Sequence, residues 1–475
     1  MARNALSCDN TMRRVSGVRP GAAKGIELML GKRGDGPEVQ VPQSRISGQA
    51  ITVGVRLVGL AGSLLMTLVV ASRLGAAASG EFFAALVMTT LVATIARYGT
   101  DNLALRDMSH QYHFGHLQLR RTYVSLLLWC CVSSVAVSII YWVASPLLEQ
   151  ASHSGDEMLK TLRLMTLSVL PFAVSLFNAA ALRSVGRVIS GTLAELGSTQ
   201  FITIALVMAA GKHPEDASLA AVAWLAATWL TALWSLALLA GLWWSDRTAQ
   251  VAGIRNHPSA AEFSAMTGMM ATSVLFYALT YAPVMVLWIF APSADVARFM
   301  LAVQVAGLLA LIPAVQAGAL GPQFAHMWAK RNLPGINTLA RNSTRLALLA
   351  ALPLAAVALL ATPWLLALLG PEFVPAAAAA RFLVLGQSLT MAFGVTSTLM
   401  LLTGLEHQAV RLAAIMLTLS VPLLVVGVRN FAADAATAAA ISALASVLYA
   451  AGASYSLWKK RRLQSSDLVL AFRLA

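Results

Sequence analysis

Charge is what this chain has least of. Asp, Glu, Lys and Arg make up 11% of its 475 residues, against 58% hydrophobic. A soluble domain carries roughly 25% charged residues, so a surface that faces water on every side is excluded. Cysteine is nearly absent. Cys8 and the adjacent pair Cys130–Cys131 give neither a disulfide framework nor a metal-binding spacing. Acidic residues are few, and those near apolar runs (Glu81, Asp101, Glu195, Glu262, Asp295) sit toward their ends. Three of the eight histidines, His110, His113 and His116, fall in "SHQYHFGH", too loose a pattern for a metal site. No paired carboxylates or base stand on a loop large enough to hold them, which excludes a membrane glycosyltransferase, polymerase or ligase. We expect no enzyme, no metal and no cofactor. Residues 1–45 lack the apolar core of a signal peptide. Polar and rich in Gly and Arg, they are expected to form a disordered cytoplasmic tail.

What the chain has instead is apolar runs of about 20 residues, each long enough to cross a bilayer as a helix. They lack the two-residue alternation of barrel strands. Hydrocarbon offers the backbone no hydrogen-bond partners, so the spans must be helical. The sequence predicts an all-α polytopic membrane protein of about twelve spans. They are placed at 49–72, 78–99, 122–145, 162–185, 194–211, 217–244, 263–290, 296–318, 343–369, 380–403, 409–428 and 434–458. Most of the 34 Lys and Arg residues lie on one set of connections. The other set holds only Arg73, Lys160, Arg163, Lys212, Arg298, Arg381 and Arg429. The positive-inside rule then puts both termini in the cytoplasm. This asymmetry, with some contact to anionic lipid, accounts for the net charge of +14 and leaves no reason to invoke nucleic acid.

An internal repeat organises the spans. A shift of 218 residues carries Arg163 onto Arg381, Gly186 onto Gly404 and Asp216 onto Asp434. A shift of 217 carries Phe82 onto Phe299 and Ala85 onto Ala302. An even number of spans separates the copies, so the halves have the same orientation: two parallel six-helix lobes, 46–250 and 260–460, followed by a cytoplasmic tail at 461–475.

Three stretches carry a family likeness. They are "VASRLGAAASGEFFAALVMTTLVATIARYGTDNLALR", "PSADVARFMLAVQVAGLLALIPAVQAGALGPQFAHMWAKRN" and "LLGPEFVPAAAAARFLVLGQSLTMAFGVTSTLMLLTGLEHQAVRLAAI". In order and spacing they resemble oligosaccharide flippases of the multidrug/oligosaccharidyl-lipid/polysaccharide exporter superfamily, over the chain from Gln49 to the end. The resemblance implies a MATE-like pair of lobes around a central cavity in the bacterial inner membrane. It further implies alternating access that moves an undecaprenyl-diphosphate-linked oligosaccharide between leaflets. The product would feed O-antigen, capsule or exopolysaccharide assembly, with a polymerase and a chain-length regulator as partners. Protons (H+), sodium (Na+) and the membrane potential are all open as the driving force. The superfamily also holds lipid II flippases, which typically have two more helices, and cation-coupled multidrug antiporters.

A diphosphate cannot cross hydrocarbon bare, so its carrier needs a wet, cationic cavity. Arginine suits phosphate because its planar fork donates two parallel hydrogen bonds. Arg56 lies about 10 Å inside the first span, deep enough that facing lipid is costly. Arg97 stands near the inner end of the second. Arg163, Arg298 and Arg381 stand at outer mouths. Asn178, Gln304 and Gln387 lie within spans and must find partners there. Pro283 removes one helix hydrogen bond in the seventh span and is a candidate gate. Deep arginines without deep carboxylates favour an anionic cargo over the cationic drugs of an antiporter.

Overall fold

A computed structural model describes residues 43–114, 119–152, 156–211, 216–244, 260–430 and 434–466. The predicted tail at 1–45 lies outside the described residues up to position 42, as does the chain after 466. From Gly48 onward the chain forms one compact unit.

The described secondary structure is helical, as a chain with no water to bond its backbone requires. In order the helices are α1 (Gln43–Ala96), α2 (Thr100–Phe114), α3 (Leu119–Ser152), α4 (Asp156–Ser184), α5 (Val188–Leu196), α6 (Ser198–Ala210) and α7 (Ala217–Trp244). There follow α8 (Ala260–Phe290), α9 (Ser293–Ala329), α10 (Leu333–Leu369), a 3-10 turn (Pro371–Phe373), α11 (Ala376–Ala392), α12 (Thr396–Leu402), α13 (Glu406–Asn430) and α14 (Ala435–Arg461). Among the described residues nine helices are long and apolar enough to cross a bilayer. The pairs α5–α6 and α11–α12, bent by 44° and 46°, bring the number to as many as eleven where each pair is one span. Helix α1 is itself two helices, because Gly75 adopts φ 81, ψ 175 between them. Its two arms fall on the first and second expected spans. Two of the expected spans are broken, at Gly197 and at Gly394.

The repeat recurs in the packing. Helix α4 packs chiefly against α7 and α3, and its counterpart α11 against α14, α9 and α10. Gly186 and Gly404 both take left-handed backbone (φ 79 and 71) at the same end of their lobes. Phe82 and Phe299 are both buried, as are Ala85 and Ala302. Asp434 accepts from the Thr437 backbone N–H at 2.8 Å and Asp216 from that of Ser218 at 3.0 Å, so each caps the last span of its lobe. The Ser218 hydroxyl, aided by its backbone N–H, holds the Asp216 carboxyl below the usual carboxylate range.

Polar side chains tie the first lobe together. Asn178 on α4 is fully buried; it accepts from the Tyr123 hydroxyl of α3 at 2.8 Å and donates to Ser235 Oγ of α7 at 3.0 Å. Asn178→Ala removes both bonds in a membrane interior, and we expect a loss of about 1–2 kcal/mol. A lowered thermal midpoint in detergent would report it; an unchanged midpoint would show that the bonds contribute nothing net.

The second lobe has a smaller core of its own at one end, built from Phe324, Ile336, Leu399, Leu457 and Leu463 among others. Leu463 belongs to the segment expected to be tail. After Arg461 the chain turns back through Arg462 (φ 58). Thr344 Oγ1 donates to Ser465 O at 2.9 Å, and the Gln464 backbone N–H donates to Asn337 Oδ1 at 2.8 Å. The break at Gly394 makes room for this turn, since a Cβ there would lie 2.4 Å from Ser465 O.

Candidate functional site at the lobe interface

The lobes meet along two seams. In the first, the second arm of α1 runs antiparallel to α8. At one end the Tyr98 hydroxyl lies 2.9 Å from Thr267 Oγ1, and the Tyr98 ring 5.4 Å from that of Phe263. Midway, the Tyr277 hydroxyl donates to Val87 O at 2.9 Å. At the far end Gly80 is pressed so close that a Cβ would sit 1.7 Å from Ser293 O. Contacts thus close this seam at both ends and midway. Helix α8 continues through the buried Pro283, and the Tyr277 and Tyr281 rings stand 4.6 Å apart just before it.

The second seam joins the first arm of α1 to α9. Gln304 Nε2 donates to Ser63 Oγ at 3.1 Å. Farther along, the backbone N–H of Ala76, orphaned at the start of the second arm, is taken by Glu372 Oε1 at 3.1 Å. Glu372 stands on the 3-10 turn of the other lobe. Arg298 steadies that turn, its Nε donating to Glu372 O at 2.9 Å and its Nη1 to Asp295 Oδ1 at 3.1 Å.

Toward the opposite end, which we call the basic end, Arg56 occupies the same seam. It precedes Ser63 by seven residues, which on a helix is nearly the same face about 10 Å away. Arg56 therefore stands on the same helix face as Ser63, and its side chain is exposed. Arg97 and Arg183 lie close by: Arg56, Arg97 and Asp101 all act electrostatically on the Arg183 guanidinium. Two of the three arginines are partnered, Arg97 by Asp101 and Arg183 by Glu195. Among the described residues Arg56 has no acidic partner, so the group keeps one uncompensated positive charge.

Local packing explains this grouping. A Cβ on Gly191 would lie 2.6 Å from Ala179 O, so glycine lets α5 approach α4 and brings Glu195, one turn later, to Arg183. A Cβ on Gly59 would lie 2.7 Å from Leu196 Cβ, which seats α1, and Arg56 with it, against the same corner.

The structure thus brings together Arg56 and Arg97, with Gln304 on the same seam, and adds Arg183, which the sequence offers only as one more basic residue at a span end. The other candidates lie elsewhere. Arg298 is engaged in its own lobe. Arg163 stacks over the Trp142 ring at 5.5 Å on the flank of the first lobe. Arg381 is exposed and Gln387 half-buried on α11, while Asn178 is enclosed within the first lobe.

No family model matches this sequence, and no curated protein matches it. Solved structures do. An inward-facing multidrug resistance MATE family transporter of the MOP superfamily superposes with a TM-score of 0.67 at 16% identity, covering 86% of this chain and 98% of that one. Lipid II flippase MurJ, in an inward closed conformation, gives 0.64 at 10% identity over 86% of this chain and 87% of its own. A MOP superfamily transporter from Pyrococcus furiosus, described as having a binding pocket of reverse polarity, gives 0.63 at 17% identity over 87% and 94%. At these identities the likeness is one of fold. The protein is a multi-pass membrane protein with the fold of MOP superfamily transporters.

Proposed function

We propose that this protein is a flippase that carries an undecaprenyl-diphosphate-linked oligosaccharide from the cytoplasmic to the periplasmic leaflet of the bacterial inner membrane, for surface polysaccharide assembly. The observation that carries the proposal is the unpaired Arg56 guanidinium on the Ser63 face of α1, grouped with Arg97 and Arg183. Such a group attracts a phosphate and repels a cation. A diphosphate docking there would have Arg56 as its free partner, with Arg97 and Arg183 exchanging their carboxylates for phosphate oxygens as it binds. The lipid tail would remain in the bilayer while the lobes rock. Arg381 and Gln387 are the remaining candidates on the second lobe. A polymerase and a chain-length regulator would act on the product.

The fold likeness to a lipid II flippase supports a lipid-linked cargo. The likeness to multidrug transporters keeps the cation-coupled antiporter as the second reading. Against it stands the chemistry of the interface, where Asp101 and Glu195 are both held by arginines rather than left open to a cation.

Cells lacking the gene should accumulate the lipid-linked sugar on the cytoplasmic leaflet, shielded from an impermeant sugar oxidant, and the full chain should restore exposure. Normal surface polysaccharide together with heightened sensitivity to cationic drugs would overturn the flippase in favour of the antiporter.

A further inference from the structure

The flank of the first lobe carries a groove that plays no part in the lobe interface. It is about 540 Å³ in volume and is walled by Ile139 and Trp142 of α3, Leu167 and Leu170 of α4, and Leu225 and Trp229 of α7. A smaller hollow of about 290 Å³ continues it past Trp142 and Leu167 to Lys160 and Arg163. The main packing partners of α4 and α7 lie in their own lobe, and Ile139, Trp142, Leu167 and Trp229 stand exposed, so the groove opens to the surrounding membrane.

Its dimensions and chemistry change together along α4. From Leu170 back to Lys160 is ten residues, about 15 Å of helix. That is half of a hydrocarbon core of roughly 30 Å, the depth of one leaflet. The deep part is apolar and aromatic. The shallow part holds two cations, at the end where α4 meets the headgroups. Arg163 is kept in place over the Trp142 ring rather than by a carboxylate. Lys160 approaches Glu157 loosely, 3.9 Å on an exposed surface, and feels the Asp216 carboxylate only through space; such exposed pairs are worth little. Two cations above an apolar slot one leaflet deep complement a molecule with an anionic head and a hydrocarbon tail.

We propose that this groove binds one anionic phospholipid, its phosphate between Lys160 and Arg163 and one acyl chain laid between α3 and α7 over Leu167 and Leu170. The groove shares no lining residue with those named at the two seams, and Lys160 and Arg163 stand at the opposite end of α4 from Arg183. It therefore stands whether the cargo is a lipid-linked sugar or a drug. Arg163 is then a lipid ligand that fastens the first lobe to one leaflet.

The test is native mass spectrometry of the full-length protein released from nanodiscs of phosphatidylglycerol and phosphatidylethanolamine. Wild type should retain one phosphatidylglycerol in preference to phosphatidylethanolamine. Each cation near an anionic headgroup contributes roughly a factor of five, so Lys160→Gln with Arg163→Gln should weaken retention about 25-fold. Both positions are exposed, so the pair should fold. Leu170→Trp, which fills the slot and leaves the cations alone, should also expel the lipid. Equal retention of both lipids, full retention by the glutamine pair, or a dimer that buries Trp142 and Trp229 would each overturn the proposal.

Discussion

A Gly80→Leu variant is expected to open the first seam at its far end. The substituted Cβ would lie 1.7 Å from a backbone carbonyl, Ser293 O, which cannot swing aside as a flexible side chain would. Overpacking of this kind costs about 1–3 kcal/mol. In a two-lobe carrier that cost need not unfold anything, because moving the lobes apart relieves it. A few kcal/mol shifts a two-state equilibrium by about 5–150-fold. Spin labels at Ser72 and Val374, both exposed near this end, should show a longer distance in the variant than in wild type. Gly268→Leu is the control, since a Cβ there meets nothing within 4 Å. Removing the Glu372 carboxylate should push the same way more weakly, through loss of one bond across the lobes. An unchanged distance distribution in Gly80→Leu would mean that the seam is not a moving part.

Arg56→Ala should produce the largest functional loss. A charge-assisted hydrogen bond is worth roughly 1.5–3 kcal/mol, which predicts transport slowed by about 10–150-fold with the protein still folded. Arg56→Lys, which keeps the charge and loses the fork, should fall between. The assay is exposure of a lipid-linked diphosphate sugar at the far face of proteoliposomes. Arg163→Gln in the same assay should be nearly normal, because Arg163 lies on the flank. Equal losses at Arg56 and Arg163 would point to a general charge effect and defeat the site assignment.

Much of the fold is legible in the sequence because its causes are local or periodic. Span length follows from bilayer thickness, and the pairing of Gly186 with Gly404 reappears as two matching left-handed turns. Arg56 is legible by depth alone. What is not legible depends on azimuth and crossing. Glu372 meets Ala76 across 296 residues, and no spacing rule foretells that a carboxylate beside a proline turn will cap a helix in the other lobe. Arg163 and Arg381 hold equivalent places in the repeat, yet Arg163 stacks on Trp142 beside a groove while Arg381 stands exposed on α11, because the two lobes differ in the side chains around those places. Arg183 is hidden among the basic residues that any cytoplasmic connection would carry; only its approach to Glu195, permitted by Gly191, distinguishes it. The breaks at Gly197 and Gly394 are also opaque, since glycine within an apolar run is as often a packing notch as a bend.

The turn after Arg461 has a practical bearing on how this protein is handled. Leu463 and Ser465 complete the wall of the second lobe, so a stop codon at Leu463 deletes a wedge rather than a loose end. An affinity tag or topology reporter spliced at Arg462 would pull on the same wedge.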